Sequence, residues 1–502
     1  MKQNRREFLI KTSCTLSMTA LATQMRHFGL MSALAQESKT PDLVPSDYRA
    51  LVCIFMSGGN DSNNMVIPNH SSASVSNYDA YAATRSAQSL SINQASLLPI
   101  NVPRMGGLTY GLHPALGPQP LGGNIVNSGI HDLWATNKLA IVANVGTLIK
   151  PTTRTEFLTA GWPKPFQLFS HSDQVSQFQG GRSDTASYTG WGGRISDLRT
   201  APDNPTGLLP MVTSISGAQL FTAGQTTLPM AIAAAPTGLN QVLNPQGFNA
   251  TAESTARLLA FNQLRTVDLE NDVVEAASGV TSAAMAANSA LSTFQEVTVV
   301  FPNTSIGNQL KQVARLIKKR GDLGVNRQVF FVQIGGFDTH NNQGTATGQS
   351  NPGTQQNLLI QLSQAMRSFY EEMVVQNLGD KVTQFTMSDF SRTLNPAGLG
   401  GTVGTDHAWG SHMFVVGGAL TGADFYGMNG SNGTPYPHLA FSTGDDADNG
   451  SGARGRWIPA TSVEQYAATL ARWYGLPDAN LTTVFPKIAN FPNTNLGFMG
   501  PA

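Results

Sequence analysis

The stretch Phe330–Gln343, FFVQIGGFDTHNNQ, decides how the chain is read. An apolar run breaks on two glycines and delivers Asp338 and His340 two residues apart, followed by Asn341 and Asn342. Upstream, NQLKQVARLIKKRG carries Leu310, Val313, Leu316 and Ile317 at helical spacing, so a helix is expected to feed a strand ending in a polar loop. A polar turn would explain the end of the strand. So would a metal site, and the rest of the chain must decide between them.

The same texture recurs. ALVCIFM (Ala50 to Met56) runs into SGGNDSNN, and LAIVANVG (Leu139 to Gly146) is another continuous apolar run. NLLIQLSQAMRSFYEEMVVQNL reads as a second amphipathic helix, KVTQFTMSDFSRT as a strand entering a polar loop, and HMFVVGGAL as a further apolar run. SVEQYAATLARWYG reads as a final helix closed by Gly475. Apolar strands alternating with amphipathic helices predict an α/β fold, a largely parallel sheet covered on both faces. Residues 200–300 differ: TSAAMAANSALS is helical and Ala/Ser-rich, GLNQVLNPQGFNA loop-like, and the region is expected as an insertion or cap.

Bulk composition narrows the function. The 502 residues carry 31 basic and 31 acidic side chains, so total charge predicts no attraction to nucleic acid or an acidic membrane surface. Charged residues are 12%, about half the usual share, and there are 50 glycines, which reads as a loop-rich globular chain. At the N-terminus, NRREFLIK places Arg5 and Arg6 before Phe8 and Leu9, and SALAQ offers a cleavage site at Ala33-Leu34-Ala35. Residues 1–35 therefore read as a twin-arginine export signal, with Asn4 where the motif usually has Ser or Thr. Arg26 and His27 interrupt its apolar segment, so no stable membrane span is expected after cleavage. The mature chain, with a single domain expected over residues 40–502, is expected in the periplasm or secreted, with the twin-arginine machinery as a partner. Cys53 is its only cysteine, which excludes an internal disulfide and a cysteine zinc site.

The polar clusters share one position. GGNDSNN, GGFDTHNNQ and SDFSRT each follow an expected strand, and ligands of open α/β sheets bind outside the carboxyl ends of strands. A fourth loop, GTDHAWGSH, supplies Asp406, His407 and His412 just before MFVVGG. Asp61, Asp338 and Asp406 with His340, His407 and His412 make three carboxylates and three imidazoles, in a chain with nine histidines. Such donors suit Zn, Mn or Fe, and six suffice for two divalent ions with open positions. Asp389 and Arg392 read as a supporting layer or anion contact. His113 in GLHPAL reads as a substrate contact or the cap of the turn after Pro114.

Those motifs, with FSHSDQ and GRWIPATSVEQYAATLARWYG, resemble the DUF1501 family of exported bacterial proteins, placed in the alkaline phosphatase-like superfamily. The resemblance spans nearly the whole mature chain. It implies a three-layer sandwich and a two-metal site at its rim, one ion on Asp61, Asp406 and His407, the other on Asp338, His340 and His412. Ser62 and Asn63 replace the usual Gly-Leu of the first loop, and Asp389 and Ser391 depart from the usual Ser-Glu-Phe-Gly-Arg-Thr. It also implies a nucleophile at a helix N-terminus, for which LFSHSDQVSQFQ offers Ser170 or Ser172, with His171 as acid/base or substrate contact. A bound water is the alternative to either serine. Neither Cys14 nor Cys53 has the context a formylglycine sulfatase needs. The expected function is a metal-dependent hydrolase of small-molecule or polymer phosphate or sulfate esters, or a related phosphoryl transferase, with Arg392 steadying the anion. The alternative is a non-catalytic exported binding or assembly protein.

Overall fold

Among the described residues, nine strands form the main sheet: β1 (Arg49–Met56), β2 (Leu139–Gly146), β3 (Val212–Ser214), β4 (Met230–Ala231), β5 (Arg327–Ile334), β6 (Val382–Ser388), β7 (Ser411–Val416), β8 (Phe425–Tyr426) and β9 (Thr461–Ser462). The computed structural model describes residues 47–122, 124–227, 230–243, 251–293, 295–344, 353–398, 403–441, 447 and 454–501. The expected leader, 1–35, lies outside the described residues.

The strand order is β8-β2-β7-β6-β1-β5-β3-β4, with β9 also pairing β2. All pairings are parallel except those of β7, which runs against both β6 and β2. The largely parallel sheet expected from the apolar runs is what forms. In β1, Ala50, Val52, Ile54 and Met56 enter one core while Leu51, Cys53 and Phe55 enter the other. Burial on both faces is why its sequence is a continuous apolar run rather than an alternating one.

Helices supply both coverings. The longer ones are α1 (Tyr78–Arg85), α2 (His171–Gly180), α3 (Trp191–Asp203), α4 (Ala252–Leu264), α5 (Asp272–Ser292), α6 (Ser305–Lys318), α7 (Thr354–Val375) and α8 (Val463–Tyr474). One face of the sheet packs against Ile306, Leu310, Val313 and Leu316 of α6 and Leu359, Leu362, Met366 and Phe369 of α7. Phe178 of α2, Trp191 and Ile195 of α3 and Tyr466 of α8 cover the other. Each such side chain contributes about 2 kcal/mol by leaving water. Within residues 200–300, β3 and β4 extend the sheet itself, while α4 buries only Ser254 among its residues. Among the described residues, no helix is long and apolar enough to cross a membrane.

This topology positions the site. β1, β5 and β6 run in parallel, so the loops after Met56, Ile334 and Ser388 emerge at one rim. Because β7 is antiparallel, its leading loop meets them there. β2 runs parallel to β6, so the segment after Gly146, leading to α2, begins on the same side.

Candidate metal centre

Asp338, four residues beyond β5, is the hub. Its Oδ1 lies 3.5 Å from His171 Nε2, 3.2 Å from His340 Nε2 and 3.5 Å from His407 Nε2. Ligand atoms of His171, Asp338 and His407 all fall within 4.8 Å of one another. Donors 2.0–2.2 Å from a tetrahedral ion stand roughly 3.3–3.6 Å apart, which is the spacing Asp338 Oδ1 keeps from both His171 and His407. His340 stands beside the trio, its Nε2 2.9 Å from His407 Nε2.

The second nitrogen of each ring explains the arrangement. His171 Nδ1 pairs with Asp389 Oδ2 at 2.7 Å, His407 Nδ1 with the Phe169 carbonyl at 2.8 Å, and His340 Nδ1 with Asp406 Oδ1 at 3.3 Å. Each partner is an oxygen acceptor, so in the neutral ring Nδ1 carries the proton and Nε2 is the atom left to bind an ion beside Asp338. His171 Nε2 is buried without a hydrogen-bond partner. Three imidazole nitrogens crowded round one carboxylate oxygen, two of them 2.9 Å apart, call for a shared positive charge, a proton or a metal ion.

Local structure holds these groups. Phe169 adopts φ 69, a left-handed conformation costly for a bulky residue, and its carbonyl is the one that meets His407. Phe390 packs against His171 and His407, with ring centroids 4.7 Å from each. Gly58, at φ +113, lets the β1 loop touch the Asp338 backbone; a Cβ there would lie 2.3 Å from Asp338 N. Asp389 is buried and also accepts the Gly58 N–H at 3.1 Å.

The electrostatics follow. The hydrogen bond with Asp389 outweighs burial and raises the His171 pKa. Burial lowers that of His407, with help from the neighbouring positive groups. At Asp338 burial acts upward, but the hydrogen bond and charge of Arg392, with His171 and His340, hold the carboxyl below its ordinary value.

The remaining expected residues are placed differently. Asp61 is buried against Arg85, and none of its hydrogen bonds involves Asp406 or His407. His412 is also buried: Nδ1 accepts the Asn144 N–H at 3.2 Å and the ring stacks on Tyr436, away from Asp338 and His340. Burial lowers its pKa to about 3. The two three-ligand groups anticipated for two ions are therefore not assembled. Asp406 touches His340 and, at 2.5 Å, Arg454. Arg392 is fully enclosed, donating to the Gly58, Gly59, Phe337 and Thr405 carbonyls and to Asp338. It ties loops together and does not face an open ligand. Ser170 donates to Asp173 at 2.5 Å, and Ser170 and Ser172 lie 3.3 Å apart. His113 caps the turn after Pro114 by accepting the Ala115 N–H. The sequence marked His171 and Asp389 separately, but nothing in it signalled that they pair across 218 positions.

Residues 150–169 carry basic and aromatic side chains and pack near Trp409. Lys150 Nζ lies 3.5 Å from the Trp162 ring centre, Lys164 Nζ 4.3 Å from Phe157, and the Arg456 guanidinium 4.4 Å from Phe169. Phe157, Leu168 and Phe169 pack on a small core that includes Trp409, two residues from His407.

Fold and site together define an α/β protein with an imidazole–carboxylate centre at the rim of its sheet. The chain belongs to the DUF1501 family, described as a protein of unknown function, whose model matches residues 189–438. No curated protein matches it. Among solved structures, the C-terminal periplasmic domain of EcEptC from Escherichia coli, in complex with Zn, is similar at 9% identity and a TM-score of 0.29, over 75% of each chain. A mutant of the alkaline phosphatase PafA is similar at 10% identity and 0.26, over 71% of this chain and 64% of that one. The PsFucS1 sulfatase from Pseudoalteromonas sp. is similar at 10% identity and 0.28, over 90% and 70%.

Proposed function

We propose that the chain is an exported metal-dependent hydrolase of phosphate or sulfate esters, or a related phosphoryl transferase, working with one divalent ion. The supporting observation is the set of three Nε2 atoms gathered round Asp338 Oδ1, each ring held by an oxygen partner on Nδ1. His171, Asp338 and His407 would hold the ion, and their nitrogen and oxygen donors suit Zn, Mn or Fe. Bound there, the ion would supply Lewis-acid polarisation of an ester oxygen and a lowered pKa for a water.

The chain's own groups divide the remaining work. Asp389 orients His171, and the strained Phe169 carbonyl orients His407. His340 is exposed, with Nδ1 on Asp406, and is placed to move a proton beside Asp338. The Ser170 hydroxyl is committed to Asp173, which favours water as the nucleophile. Arg454, paired with Asp406, and Arg456, over the Phe169 ring, favour an anionic substrate. The leader over 1–35 supports export to the periplasm or beyond.

The test uses mature protein stripped with chelator and reloaded with Zn, Mn or Fe, assayed on aryl phosphate, phosphodiester and sulfate esters. The reading expects metal-dependent turnover that His407→Ala and His171→Ala abolish. No ester turnover by fully loaded protein would favour the non-catalytic binding reading, to which the engaged Ser170 already lends an observation.

A further inference from the structure

Arg85 closes α1 and is wholly buried. Its Nε donates to the Leu394 carbonyl at 3.0 Å. Nη1 donates to Asp61 Oδ2 at 2.6 Å and Asn64 Oδ1 at 2.5 Å, and Nη2 to Asp61 Oδ1 at 3.1 Å and the Thr393 carbonyl at 2.9 Å. Five oxygens from two segments, 61–64 and 393–394, thus surround one positive group. An all-oxygen cage with a carboxylate is what a hard divalent cation takes, and here a guanidinium fills it.

Asp61 has nothing left to offer. Besides Arg85, Oδ1 accepts the Asn63 N–H at 3.1 Å and Oδ2 accepts Gln343 Nε2. Four donors occupy about four lone-pair sites, the full capacity of a carboxylate.

We infer that Arg85 is a built-in cation standing where a second metal ion was expected, so that Asp61 serves a guanidinium and the protein holds one exchangeable ion per chain. The count of one rests on the reading of His171, Asp338 and His407 as the metal site; the role of Arg85 does not. The cage also has a positioning consequence. Thr393 and Leu394 follow Arg392 directly, so Arg85 anchors the loop that carries both Arg392 and Asp389 into the centre.

The experiment pairs metal analysis of the wild type with cavity rescue of Arg85→Ala. Wild type should contain one equivalent, and Asp61→Asn should lower the melting midpoint without changing that count. Arg85→Ala should melt lower than wild type and recover in low-millimolar guanidinium chloride, but not in sodium chloride of equal strength. Two equivalents in the wild type, falling to one in Asp61→Asn, would overturn the inference. So would an unchanged midpoint in Arg85→Ala, or a deficit that sodium chloride restores equally. Should Arg85→Ala not fold, Arg85→Lys replaces it; a wild-type midpoint there would likewise overturn the cage. Zero equivalents in the wild type with guanidinium rescue would overturn the metal reading and leave the role of Arg85 standing.

Discussion

Replacing Arg392 by methionine keeps much of the side-chain volume and removes every donor of a guanidinium with no exposed surface. Four carbonyls lose a bond: Gly58, Gly59, Phe337 and Thr405. Phe337 retains the Thr339 N–H at 2.8 Å, so three are left without that donor's replacement. A buried acceptor stripped of its partner costs about 1–3 kcal/mol, which puts the loss at roughly 3–5 kcal/mol once partial relaxation is allowed. The contact with Asp338 is left out of that sum because its side chain is 48% exposed and solvent screens the pair. Against a total stability of about 5–15 kcal/mol the change is large. Urea unfolding followed by tryptophan fluorescence reads it as a shifted midpoint at constant slope. Asp338→Asn is the companion: it should lose metal while shifting stability by less than about 1 kcal/mol. A loss below about 1 kcal/mol in Arg392→Met would refute the reasoning, because the three carbonyls would then have other donors.

Asp389→Asn should keep the fold but weaken zinc binding by about 10–100-fold, read by competitive titration, because His171 loses the carboxylate that fixes its tautomer. Gly58→Ala should destabilise the protein and release the metal together, since its Cβ would collide with the Asp338 backbone; thermal melts and metal analysis report both. Burial pushes the Glu464 carboxyl up to about 8, from an ordinary 4.5, with Oε1 lacking a partner. The folded state then holds a proton the unfolded state has lost, so stability falls as pH rises from 4.5 to 8. Glu464→Gln should flatten that decline in urea midpoints; an identical slope in both proteins counts against it.

The sheet was legible because β1, β2 and β5 are buried on both faces and so read as unbroken apolar runs. The rim loops were legible because parallel strands deliver their carboxyl ends to one side, and Asp338, His340, Asp406 and His407 all lie there. Side-chain direction was not. On β7, His412 and Met413 point to opposite faces, and His412 falls on the one where Tyr436 packs. Asp61 follows the same Gly-Gly pattern as Asp338, yet Arg85, 24 positions away on α1, neutralises it. Such pairings depend on how helices dock, which no local spacing encodes.

The most direct test is anomalous diffraction from crystals of the mature protein, isolated through its own export signal. One strong peak per chain is expected, within ligand distance of His171 Nε2, Asp338 and His407 Nε2, and none beside Asp61. Peaks at Asp61 or His412, or none near Asp338, would contradict that expectation.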